Sequence, residues 1–165
     1  MHSHIPSINE EEFSEMVGAV IVSHSFIARE LIATAEYIVG KMEGIAAISI
    51  DFKMNPFEAR KIISEAIKQV DQGDGVLILT DLFGGSPANI AFSFLNEEKV
   101  EVITGVNLPM ILTFWNKREV KSLTDLAKSV QLSGRRNIVM VKDLMGEKDA
   151  FGRRIPKRDR RLSQK

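Results

Sequence analysis

The chain has 165 residues, 44% hydrophobic and 27% charged, and its 22 basic and 22 acidic side chains balance to a formal charge of zero. This length sustains one domain with a real core but not two comfortable ones, and the composition excludes wholesale disorder. The absence of cysteine excludes disulfides, thiolate metal sites and a thiol nucleophile, and the longest apolar runs, such as GVLILT, are too short to cross a bilayer.

The first sixteen residues, MHSHIPSINEEEFSEM, lack the apolar middle and small-residue cleavage site of a secretory signal, which predicts a polar leader (1–16) and a cytoplasmic protein. His2 and His4 fall in that leader and read as bystanders. A single folded domain is expected over 17–142. VGAVIV (17–22) reads as its first strand, followed by a helix from Phe26 to Val39 with Ile27, Leu31, Ala35 and Ile38 on one face and Gly40 as its stop. IAAISI (45–50) reads as the second strand. The next helix has a fuller start signal, with Asn55 as cap, Pro56 at the first position and Glu58 placed to reach back; Phe57, Ile62, Ala66 and Val70 form its inner stripe.

GVLILT (75–80) is the third strand, after which Ser86 as cap and Pro87 at the first position open a helix with Ile90 and Phe94 facing inward. VEVIT (100–104) is the fourth strand, and VNLPMILTFW predicts a turn and a short helix whose Phe114 and Trp115 help close the core. A further helix from Leu123 to Leu132 is expected to end near Gly134, and NIVMV (137–141) reads as a last strand. Residues 143–165 are a polar tail in which 152–165, GRRIPKRDRRLSQK, carries seven Lys or Arg against one Asp, a local +6 against −6 on the rest. Such a run is ordinarily a solvated segment and less often a docking arm for an acidic partner. It is assigned no role, and no nucleic-acid partner is expected.

Strands alternating with helices at this spacing argue for right-handed βαβ units and the α/β class, with a doubly wound, mainly parallel sheet and helices on both faces. In the order 2-1-3-4, strands one and three are neighbours whose following helices lie on opposite faces. The crevice between them is the topological switch point, where such folds bind ligands. His24 leaves strand one there and Asp81 leaves strand three. A neutral imidazole is a nucleophile through the nitrogen that lacks the proton, and a carboxylate accepting from the other nitrogen fixes the tautomer and steadies the charge that develops. Gly84, Gly85 and Ser86 form a turn that lets backbone N–H groups approach an anion at a helix start. The convergence of the three pieces carries this reading, because each alone is also explained as a structural histidine, a turn carboxylate or a turn-to-helix signal.

Asp51, at the end of strand two, reads as a turn residue one step from the crevice. No further histidine lies near His2 and His4 to complete a metal site and no HExxH or EF-hand pattern is present, so neither metal nor cofactor is expected. GGSPA also resembles a GxSxG nucleophile elbow, but the oxyanion donor there is the N–H of the residue after the serine, and here that residue is Pro87. A nucleotide phosphodonor is disfavoured because no GxxxxGK[ST] loop is present.

VIVSHS with its following helix, TDLFGGSPAN and TGVNLPM resemble the IIA component of the mannose-type sugar phosphotransferase system (PTS), over about residues 17–142. The resemblance implies that His24 accepts a phosphoryl group from the carrier protein HPr and passes it to a IIB component. It makes Asp81 the carboxylate partner and places Ser86 where the family's serine contacts the phosphoryl group. It further implies a homodimer that exchanges a C-terminal strand, which NIVMV matches in place, and only indirect engagement of the membrane IIC and IID components. The sequence shows no IIB domain, so the acceptor is expected to be another protein.

One departure stands out: the family usually has glycine directly after the active histidine, and here that position is Ser25. His-Ser is similar to the phosphotransferase subunit of PTS-linked dihydroxyacetone kinase, which lacks the GGSP and GVNLPM segments and ranks second. A regulatory, phosphorylation-dependent binding module without a transport role needs the same phosphohistidine and stays open at this point.

Overall fold

A computed structural model describes residues 15–51 and 53–144. The expected leader and basic tail lie almost wholly outside these residues, as do His2 and His4. The chain divides after Gly134 into two compact units.

In the first unit four strands, β1 (Met16–His24), β2 (Ile45–Ile50), β3 (Gly73–Thr80) and β4 (Val100–Thr104), form one parallel sheet in the order β2-β1-β3-β4. This is the expected doubly wound architecture. β1 is central and buried along Val17–Ser23, which is why it reads as an unbroken apolar run rather than an alternating one. Its odd residues Val17, Ala19 and Ile21 join Leu77 and Leu79 in a core under α1 (Ile27–Val39), α4 (Leu108–Lys117) and α5 (Leu123–Arg136). Its even residues Val20 and Val22 join Val76 and Ile78 under α2 (Pro56–Val70) and α3 (Ser86–Phe92). The helices that follow β1 and β3 therefore lie on opposite faces, and the switch point falls between the ends of those two strands.

Helix starts follow the predicted chemistry with small shifts. Asn55 caps α2 by accepting from the Phe57 N–H at 2.9 Å, with Pro56 in the first turn, and Asn107 caps α4 by accepting from the Met110 N–H at 3.2 Å. In α3 the cap is Gly85 rather than Ser86, which is the first helical residue. The inner faces are rotated from those expected. α1 buries Ala28 and Ala35 with Leu31 packed beside them, and leaves Ile27 and Ile38 exposed. α2 buries Ala59, Ile63, Ala66, Ile67 and Val70 and leaves Phe57 exposed. In α1 the fully buried positions are both alanine, which lets that helix lie close on the sheet, whereas α2 buries alanines together with Ile63, Ile67 and Val70.

Gly134 does not stop α5. A Cβ there would lie 2.7 Å from the Met110 side chain, so this glycine permits a close approach of α5 to α4 inside a continuing helix. NIVMV is not a strand: 138–140 are irregular and Val141 opens the short α6 (Val141–Leu144). A strand needs a ladder partner, and among the described residues all the named ladders join β1 to β4.

At the opposite end of the sheet from the switch point, the buried Arg118 donates to the Glu43 carbonyl and to Gln72 and stacks on Trp115, tying together the segments that lead into β2 and β3. Burial pushes its pKa down from the ordinary value, opposed by Glu119 and Glu43. Just beyond α3, the fully buried Phe94 fills the α2/α3 core and carries the Arg60 guanidinium 4.4 Å over its ring. Phe94→Ala removes that filling and is expected to cost about 3–5 kcal/mol, read as a lower urea midpoint with an unchanged m-value. A loss below about 1 kcal/mol would mean the cluster is not packed as described.

Candidate functional site

β1 ends at His24 opposite Ile50 of β2, and β3 ends at Thr80, which pairs with Val22. The next residue after β3, Asp81, thus reaches the mouth of the crevice beside His24. One carboxylate oxygen, Asp81 Oδ2, accepts from the His24 backbone N–H at 2.9 Å and lies 2.9 Å from the ring Nδ1. Because an ionised carboxylate only accepts, the ring proton sits on Nδ1 and the lone pair on Nε2. The imidazole is 40% exposed while the Asp81 side chain is 10% exposed, so the ring can be reached from outside and its partner is shielded. The second oxygen, Oδ1, is buried and has no hydrogen-bond partner among the described residues.

The glycine turn closes on the same ring. A Cβ at Gly85 would stand 2.8 Å from His24 Cε1 and 3.5 Å from Nε2, a clash that only glycine avoids. The Nε2 edge therefore faces the turn. Gly84 adopts φ +79°, and its carbonyl accepts from Asn89 Nδ2 at 3.3 Å, which holds the turn against α3. His24, Asp81, Gly84, Gly85 and Ser86 are brought together at one edge. Asp51 is not among the partners of His24 or Asp81: its Oδ1 accepts from the Lys53 N–H at 2.8 Å, and it lines the neighbouring groove that also reaches Ser86.

The residues around His24 are fixed from both sides. Ser23, fully buried, accepts from the Ala28 N–H at 2.8 Å and so caps α1, whose cap residue Phe26 offers no side-chain bond. Ser25 is held at φ +50°, in the left-handed region. Glycine would adopt that conformation freely, and it costs an L-residue about 1–2 kcal/mol.

Two features escaped the sequence reading. Phe26, Ile27, Leu82 and Phe83 are 59%, 46%, 60% and 75% exposed and flank the two site residues in the chain, giving the edge an apolar rim. The signal was present, since large apolar residues in a turn beside a polar pair have no core to enter. A groove of about 540 Å³ between the end of β2, α2 and α3 also adjoins Ser86, lined by Phe57, Arg60 and Asn89 among others. Its walls come from segments distant in sequence, and no local pattern marks it.

The fold and this edge define an open α/β domain with a histidine and a carboxylate paired at the switch point. The family described as PTS system fructose IIA component matches residues 18–131, and the chain belongs to that family, whose members are phosphotransferase components of sugar uptake. It is 31% identical over 136 residues to the mannose-specific EIIAB component of Escherichia coli (strain K12), a match covering 81% of this chain but 42% of that protein's length. It is 30% identical over 118 residues to the fructose-specific EIIA component of Bacillus subtilis (strain 168), covering 70% of this chain and 80% of the relative. The PTS IIA protein associated with the fucose utilization operon of Streptococcus pneumoniae superposes with a TM-score of 0.71 at 28% identity, over 80% of this chain and 98% of that one. Among the described residues no helix is long and apolar enough to cross a membrane.

Ser25→Gly relieves the left-handed strain beside His24. It is expected to stabilise the fold by about 1 kcal/mol and raise Tm by about 2–4 °C in a thermal melt. An unchanged or lower Tm would mean that Ser25 is not strained.

Proposed function

We propose that this protein is a cytoplasmic phosphohistidine carrier in which His24 accepts a phosphoryl group from phospho-HPr and passes it to a separate IIB protein, for sugar uptake or its regulation. The observation that carries the reading is the 2.9 Å pairing of Nδ1 with Asp81, which leaves Nε2 unprotonated toward the Gly84-Gly85-Ser86 turn. In the forward step the Nε2 lone pair forms the new bond to phosphorus as the donor's bond to phosphorus breaks. The Nδ1 proton stays in place, and the imidazolium charge that develops is met by the Asp81 carboxylate. Transfer to IIB is the reverse step with a different partner. Gly84, Gly85 and Ser86 hold the phosphoryl oxygens through backbone N–H groups and the Ser86 hydroxyl. Neither metal nor cofactor is needed for this exchange, and the membrane IIC and IID components are engaged only through IIB.

The exposed rim of Phe26, Ile27, Leu82 and Phe83 supports a protein rather than a small molecule as donor and acceptor, because apolar side chains gathered at one edge are covered only by another surface. The family match favours this carrier role over the dihydroxyacetone kinase subunit and over a purely regulatory module.

Incubation with phospho-HPr is expected to place acid-labile phosphate on the wild type and none on His24→Ala. Asp81→Ala is expected to slow transfer by about 10²–10⁴-fold with the fold intact by circular dichroism. Equal label on His24→Ala, or an unchanged rate in Asp81→Ala, overturns these assignments.

We further propose that the protein is a homodimer in which the apolar run Ile138–Val141 of one copy pairs along the open β4 edge of the other. In the single chain Ile138, Met140 and Val141 are 79%, 68% and 62% exposed, and β4 pairs on one side only. Light scattering on a sizing column is expected to give twice the chain mass for the wild type and a monomer for Ile138→Asp combined with Met140→Asp. A monomeric wild type refutes the exchange.

A further inference from the structure

Three serines stand in or next to the crevice: Ser23 and Ser25 on either side of His24, and Ser86 at the start of α3. Ser23 is committed to the fold, since it is fully buried and its hydroxyl accepts from the Ala28 N–H. Ser86 already has a role in the carrier reading. Ser25 is exposed, and its hydroxyl takes part in no hydrogen bond among the described residues. It is nevertheless the residue the turn holds at φ +50°, one of two non-glycine residues with positive φ among those described. A strained residue that serves no packing or capping role in the resting structure, next to the nucleophile, points to a use in another state.

We propose that the Ser25 hydroxyl is a phosphoryl-binding group that donates to an oxygen of the phosphoryl carried on His24 and lengthens the life of the phosphohistidine. This rests on the carrier reading and assigns the site a residue that reading does not contain. The Ser25 Cα follows the His24 Cα by one peptide, about 3.8 Å, so its exposed hydroxyl borders the same end of β1 at which a phosphorylated ring would carry its oxygens. The backbone cannot turn Ser25 away freely, because His24 N–H is fixed to Asp81 on one side and Ser23 ties the turn to α1 on the other. Donation to a dianionic oxygen is charge-assisted and does not consume the Ser25 proton. It lowers the energy of the phosphorylated state relative to hydrolysis, in which water attacks phosphorus, the Nε2–P bond breaks, and the proton released goes to the phosphate or to solvent.

Strain and donation are separable by substitution. Ser25→Ala keeps the strain and removes the donor, Ser25→Gly removes both, and Ser25→Asn supplies an amide donor on a residue that tolerates the left-handed region. Each full-length variant is labelled with phospho-HPr, freed of excess donor, and followed for loss of acid-labile phosphate in parallel with its thermal melt. The phosphohistidine half-life is expected to fall about tenfold in Ser25→Ala and in Ser25→Gly, although Ser25→Gly melts higher, and to stay within about twofold of wild type in Ser25→Asn. Half-lives that follow Tm, or a Ser25→Ala half-life equal to wild type, overturn the inference while leaving the carrier reading standing. A wild type that takes no label overturns both.

Discussion

One carboxylate oxygen organises the functional edge of this protein. Asp81 Oδ2 meets both the backbone N–H and the ring nitrogen of His24, each at 2.9 Å, so a single acceptor fixes where the strand ends and which way the imidazole faces. A hydrogen bond to a charged group contributes about 1.5–3 kcal/mol, enough to hold one tautomer and one ring orientation in a half-exposed residue. Everything else at the site is arranged around that fixed ring. Gly85 lacks a side chain because the ring occupies the space, and the turn is built so that its backbone approaches the Nε2 edge.

That interaction depends on the order of the sheet. His24 and Asp81 are 57 residues apart and meet because β1 and β3 are hydrogen-bonded neighbours with Val22 opposite Thr80. A one-residue slip of β3 would carry Asp81 away from His24 and also exchange the faces on which Leu77 and Ile78 are buried. The two apolar cores, one on each side of the sheet, thus guard the site's geometry as a consequence of guarding their own packing. Arg118, buried at the other end of the sheet, acts on the segments entering β2 and β3 and leaves the site edge free for chemistry.

Much of this was legible in the sequence where the signal is local and periodic. The four strands, the Asn55 cap and the meeting of His24 with Asp81 follow from apolar runs, cap chemistry and the rule for switch points. The reading failed where the deciding partner is distant or depends on shape. Ile27 and Phe57 were assigned inward on hydrophobicity, but Ala28 and Ala35 are the buried residues of α1, Ala59 and Ile63 open the buried face of α2, and Ile27 and Phe57 are left outside. Gly134 reads as a stop in one dimension and is a contact between helices in three. NIVMV has strand composition, yet composition cannot supply the neighbour that a strand requires.

The exposed apolar residues beside the site, of which Ile27 had been read as inward, bear on the proposed function. Phe26 and Ile27 lie two and three residues beyond the end of β1, and Leu82 and Phe83 two and three beyond the end of β3, so the turns that deliver His24 and Asp81 also deliver the exposed rim. A phosphoryl group on imidazole is lost to water whenever water reaches it in line, and transfer between two proteins succeeds only if the joined surfaces keep water out while the group crosses. An apolar rim does this without adding charge near a dianionic group. In the proposed carrier such a rim would also let partners exchange, since a few exposed side chains bury little area compared with a stable interface. Under the proposed carrier role the bulky residues beside the pair would serve recognition, and their cost to the resting protein is limited to leaving apolar surface in contact with solvent.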